Sequence, residues 1–183
     1  MAGALMLAPD DRIPGADVVP PPPRRAVWAA YWAAAAPTVG FIPLHLVWAL
    51  GIPLFADADL FDPWYTDGGG TYLWTLNALA LLPAVLALAL VRPWGLVIPR
   101  SVPVFGGHRV PRLLLIVPGT LLSTGLFAYT AMAPIVAART WDHPGAIFSP
   151  WTVVFGIVVF AVWICGLAIA THSYARRTRP PAS

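Results

Sequence analysis

The chain has 183 residues, 58% of them hydrophobic and only 10% charged, whereas water-soluble domains carry roughly 45–50% apolar and about 25% charged residues. That balance excludes an ordinary soluble domain, and the length leaves no room for a second sizeable core. The charges are eleven Arg and eight Asp with no Lys or Glu; the Arg flank apolar runs instead of forming a basic face, so nucleic acid is not expected as a partner.

Residues 1–25 are rich in Pro, Ala and Asp and end in PPPPRR, a composition that favours extended, solvated chain and predicts a disordered tail. MAGALMLAP is apolar but lacks a basic n-region, and Asp10 and Asp11 follow at once, so a cleavable signal peptide is not expected. Four long apolar runs come next, over about 26–53, 71–92, 112–138 and 150–175. Each meets the ~20 residues needed to cross a ~30 Å hydrocarbon layer, and none carries a charge in its interior. The expected fold is an all-α membrane protein, a four-transmembrane-helix bundle over 26–178 with a short cytoplasmic tail at 179–183.

In the first run Pro37, Gly40 and Pro43 predict a kinked helix. Small residues four apart, at Ala29/Ala33, Ala36/Gly40, Gly119/Ser123 and Gly166/Ala170, permit close backbone approach; the spacing serves equally a tight bundle or a homo-oligomer. FDPW at 61–64 and FSPW at 148–151 form a faint echo, read as shared capping chemistry with Ser149 capping the fourth helix and Pro150 at its first position. The loop 93–111 has irregular apolar residues, a Gly106-Gly107 turn and basic residues; Arg100, Arg109 and Arg112 are expected near lipid headgroup phosphates. The lone Cys165 allows no internal disulfide.

Ten Arg fall in the two tails and the second loop, against Arg139 alone in the other loops. This bias predicts both termini in the cytoplasm. Trp28, Tyr31, Trp32, Trp94 and Tyr174 at inner ends, and Trp64, Tyr72, Trp74, Trp141 and Trp151 at outer ends, match the headgroup preference of aromatic rings.

Chemistry is sought by depth. At ~1.5 Å per residue, His45 and Tyr129 lie about 12 Å below the outer ends and Asn77 about 9 Å. With Thr130, and with Trp48 and Trp74 as walls, they define a candidate outer-half pocket in which His45 handles a proton or orients a ligand. The bland reading is interhelical hydrogen bonding that holds the bundle together. Above it stand Asp62, Asp67, Asp142 and His143, whose spacing matches no metal motif, so no metal is expected. His45 and His172 are on the order of 20 Å apart along the membrane normal, too far to share a haem, and no cofactor is expected. A four-helix multidrug exporter needs a membrane-embedded Glu, which this chain lacks.

HLVWALG at 45–51, VRPWG at 91–95, the Pro/Arg/Gly loop ending in VPR at 110–112, the Pro-Trp start of the fourth helix and the Arg-rich tail give the chain a likeness over about 26–178. It resembles small actinobacterial four-helix membrane proteins catalogued as a domain of unknown function. The resemblance implies a four-helix architecture in a bacterial plasma membrane and assigns no catalytic residues. Three functional readings stand: a non-catalytic structural, accessory or small-ligand-binding bundle in contact with membrane lipids and a second copy or partner membrane protein; a membrane enzyme acting on a lipid or isoprenoid from the outer half; and a small dimeric transporter.

Overall fold

A computed structural model describes residues 19–141 and 143–179, which leaves most of the Pro-rich tail, Asp142 and the last four residues outside the described chain. Among the described residues there is no β-strand, only two isolated bridges. Four helical stretches are long and apolar enough to cross a membrane. The elements are α1 (Arg24–Ala49), α2 (Ala58–Trp64), α3 (Gly70–Ala89), α4 (Arg112–Thr140) and α5 (Pro150–Arg177).

The helix limits differ from the apolar runs for local reasons. α1 starts at Arg24, immediately after the extended Pro23, because proline restricts the residue before it and leaves the next residue free to enter a helix. It stops at Ala49, before Gly51 at φ 80° and Pro53, although the apolar sequence continues. Within α1, where a kink is predicted, the backbone widens into a π-helical segment, Ala36–Phe41, with the Ile42 N–H donating to Pro37 O. Pro37 and Pro43 have no N–H to offer the carbonyls four residues back, so the regular α ladder is interrupted on both sides.

The acidic loop after α1 is more ordered than its composition suggests. Asp57 caps α2, its Oδ1 accepting from the Asp59 N–H at 3.0 Å and the Leu60 N–H at 3.3 Å. α2 passes into α3 through Tyr65–Gly69, where Asp67 and Gly68 leave the helical region, Gly68 at φ 103°. Asp57→Ala is expected to cost about 1 kcal/mol of cap energy. The check is amide hydrogen exchange: the Asp59 and Leu60 protons should exchange faster while α3 and α5 keep their protection.

The helices pack in the order α4–α5–α1–α3, with α3 and α4 touching only sparsely. The small-residue pairs build the inner seams. A Cβ on Gly166 would stand 2.5 Å from Ala29 O and 2.9 Å from Ala33 Cβ; one on Gly40 would stand 2.8 Å from a Val159 methyl; one on Gly119 would stand 2.4 Å from Thr171 Oγ1. Ala29, Ala33 and Ala170 are buried there as well. Of the two roles open to this spacing, packing within one chain therefore accounts for these contacts.

At one end of the bundle, here the loop end, Phe55–Asp57 runs against Ile147–Ser149: Asp57 N–H donates to Ile147 O at 2.8 Å and Ser149 N–H to Phe55 O at 2.9 Å. The motif echo gains a physical meaning there, different from the one expected. Ser149 sits at the N-cap but makes no side-chain cap bond, and Pro63 lies inside α2, so the motifs do not share capping chemistry. They share a cluster instead, with Phe148 edge-on to Phe61 at 6.2 Å and to Trp64 at 5.4 Å.

The opposite, terminal end gathers the start of α1 and the end of α5. The loop after α3 begins with a 3₁₀ turn, Pro93–Gly95, and folds back on itself, with Ile98 N–H donating to His108 O at 2.9 Å and Val110 N–H to Leu96 O at 2.9 Å. Buried Tyr174 of α5 donates its hydroxyl to Gly95 O at 3.0 Å. Arg177 donates to Leu90 O at 2.7 Å and to Pro20 O at 3.2 Å, joining the ends of α3 and α5 to the segment entering α1.

Candidate functional site

The candidate pocket residues are carried by three helices, α1, α3 and α4. His45 follows the π segment and is half-buried. Its ring stacks on Phe41 with centroids 3.7 Å apart and lies edge-on to Trp48 at 5.0 Å. Nδ1 is 2.9 Å from Phe41 O. A carbonyl only accepts, so Nδ1 is the donor in this contact and carries a proton.

Phe41 extends this contact across the bundle. It meets Phe160 at 5.9 Å and Trp163 at 6.3 Å, Phe160 lies parallel to Trp163, and Tyr129 is edge-on to Phe160 at 5.6 Å. His45 and Tyr129 thus belong to one aromatic band, joined through Phe41 and Phe160 instead of facing each other across a cavity. Phe41, Phe160 and Trp163 were not singled out in the sequence; the Phe-x-x-x-His spacing, which puts two rings on one helical face, is the signal that marks them.

The other candidates point elsewhere. Trp48 is buried and donates Nε1–H to Leu54 O at 2.7 Å, so it closes the loop end. Asn77 is buried on α3; its amide donates to Leu73 O at 2.9 Å while Oδ1 has no partner. Leu73 packs with Trp48 and Ala49 at the loop end, and Ala80 with Ala33 and Ala36 in the main core, so Asn77 lies level with the stretch of α1 between them. No hydrogen bond or ring contact joins it to His45 or Tyr129 among the described residues. Thr130 donates to Leu126 O at 2.7 Å. Trp74 is half-exposed and Tyr129 is 65% exposed, as expected for groups on the perimeter of the bundle. The helix order gives the reason: α3 packs chiefly on α1 and α4 chiefly on α5, with only sparse contact between α3 and α4.

Of the loop candidates, Asp62 and Asp67 are exposed, and Asp142 lies outside the described residues. His143 accepts from the Gly145 N–H at 3.1 Å and lines an open hollow of about 430 Å³ with Trp141, Phe55, Phe148 and Asp57. The carboxylate at this hollow is Asp57, not Asp62 or Asp67. Among the described residues no three His, Cys, Asp or Glu side chains gather as a metal site.

A second hollow, of about 170 Å³, opens at the terminal end between Val19, Leu96, Val97, Arg109, Val110, Arg112, Tyr174 and Thr178. Arg112 donates to Ala175 O at 3.3 Å; its Nε is buried without a partner. Arg100 is exposed on the loop and is not part of this hollow. Arg92, also exposed, donates to the hydroxyl of Tyr31.

Comparison with protein-family models, with curated proteins and with solved structures returns no match, so the geometry of these residues is what any functional reading has to stand on.

Proposed function

We propose that the chain is a non-catalytic integral protein of the bacterial plasma membrane, with both termini cytoplasmic, that serves as an accessory bundle among lipids and companion membrane proteins. One observation carries the reading: four polar side chains within the apolar helices bond main chain of their own helix. His45 bonds Phe41 O, Asn77 bonds Leu73 O, Thr130 bonds Leu126 O and Ser123 bonds Gly119 O. Donors held in this way are satisfied within their own helix inside hydrocarbon and need no substrate or neighbouring helix as partner. The sidedness rests on the Arg bias. Arg24, Arg25, Arg92, Arg100, Arg109, Arg112, Arg176, Arg177 and Arg179 all belong to the terminal end.

A membrane enzyme acting on a lipid or isoprenoid is the second reading. It is favoured by the unpartnered Asn77 Oδ1 and Trp163 Nε1 inside the bundle, because buried polar atoms normally find partners. Mass spectrometry of molecules retained by the protein purified from native membranes separates the two. The accessory reading expects the same phospholipids, in the same proportions, from wild type and His45→Ala. A discrete isoprenoid or lipid species held by wild type and lost from His45→Ala would establish the second reading instead. A tag at residue 183 that is labelled from outside intact cells would overturn the orientation.

A further inference from the structure

The terminal end has a charge imbalance that the described residues do not offset. Among the described residues the carboxylates are Asp57, Asp59, Asp62 and Asp67, all at the loop end. Among the described residues the guanidinium groups of the terminal end therefore have only neutral partners. Arg112 uses Nη2 on Ala175 O, and Arg177 uses its terminal nitrogens on Leu90 O and Pro20 O. The Nε of each is buried and unpartnered. A main-chain carbonyl satisfies a donor but does not neutralise a cation, and desolvated guanidinium donors favour an anion with several acceptor oxygens.

Arg112 is also the first residue of α4, a helix with no acidic residue in its first turn and no side-chain cap. A cation is disfavoured at that end of a helix, where the dipole and free N–H groups attract negative charge. Arg109 and Arg112 both face the terminal-end hollow, whose remaining wall is largely Val and Leu with the body of Tyr174. A polar mouth with two guanidinium groups over an aliphatic wall matches a phosphate carried on a hydrocarbon tail.

We propose that this hollow binds the phosphate of an anionic phospholipid headgroup, with Arg109 and Arg112 as the charged ligands and Leu96, Val97 and Val110 against the start of the acyl chain. The site rests on the membrane reading above and adds a ligand and the residues that hold it. Arg177 is a positioning residue: its bonds to Leu90 O and Pro20 O, and its place over the Tyr174 ring at 5.4 Å, fix the wall against which the headgroup sits.

The test uses the full chain in mixed micelles of phosphatidylglycerol in excess phosphatidylcholine, with retained lipid read by native mass spectrometry. Wild type is expected to enrich phosphatidylglycerol; Arg109→Gln/Arg112→Gln is expected to lose at least tenfold of that enrichment, and Arg100→Gln to keep it. Equal losses from Arg100→Gln and the double variant would reduce the effect to general surface charge and overturn the site. Millimolar inorganic phosphate that displaces the lipid and binds as well alone would overturn the lipid identity in favour of a free phosphate. Should the double variant not purify as a single species, Arg109→Gln carries the test, because Arg109 is exposed on the loop. A chain that stays monodisperse without detergent refutes the membrane reading itself, a result that lipid loss alone does not give.

Discussion

Gly95→Ala is expected to be among the most damaging single substitutions in the chain. A Cβ there would stand 1.8 Å from Ala89 O and 2.6 Å from Ala89 C. The obstacle is backbone at the end of α3, so no rotamer change relieves it. Moving Gly95 away carries its other bonds with it: its N–H donates to Arg92 O at 3.1 Å and its carbonyl accepts from the Tyr174 hydroxyl at 3.0 Å. Tyr174 is 1% exposed, and its hydroxyl left without an acceptor adds a desolvation cost of about 1–3 kcal/mol. The summed loss is expected to exceed about 4 kcal/mol, within the small class of severe single-site effects.

Thermal unfolding in detergent checks this, with Gly125→Ala and Gly156→Ala as controls. Both control positions are helical and open, with nothing within 4 Å of an added Cβ, so alanine there should be neutral or slightly stabilising through helix propensity. A Gly95→Ala protein that unfolds where wild type does would mean that the loop after α3 does not close on the helix end as described.

The helices were legible because uncharged stretches of about 20 residues admit few other solutions. The ends were less so, since apolar composition continues past the point where Gly51 turns the chain and Pro23 admits helix earlier. α2 was missed because its seven residues are too few for a periodic signal; the Asp57 cap and the buried Phe61 were its only marks. The echo of FDPW and FSPW was visible as a pattern, but what it does depends on two loops meeting at the loop end. Spacing within one segment does not carry that information.

The candidate site was legible in its residues and not in its geometry. Counting along each helix assigns polar groups of different helices comparable depths, but depth is one coordinate of three. The missing coordinate is helix order. With α3 packed chiefly on α1 and α4 chiefly on α5, no hydrogen bond or ring contact joins Asn77 to Tyr129 among the described residues, and Tyr129 meets His45 through Phe160 and Phe41. Arg112 shows the converse case: the sequence places it in a basic loop and gives a headgroup expectation, while its unpartnered Nε depends on burial against α5.

Gly166→Ala decides what the small-residue spacing is for. The added Cβ would stand 2.5 Å from Ala29 O, 2.9 Å from Ala33 Cβ and 3.0 Å from Ala33 N, so α1 must move off α5 as a body. Inside hydrocarbon no hydrophobic force holds the helices together, and their association depends on close van der Waals contact, which fades over fractions of an ångström. A loss of about 2–4 kcal/mol is expected, comparable to overpacking a tight core. Ala33→Gly combined with Gly166→Ala should restore only part of it, because the clash with Ala29 O survives. Both values should be independent of protein concentration. If instead Gly166→Ala left the unfolding midpoint of the monomer unchanged and lowered only the fraction of dimer, the seam would lie between chains, and the order α4–α5–α1–α3 would no longer describe one molecule.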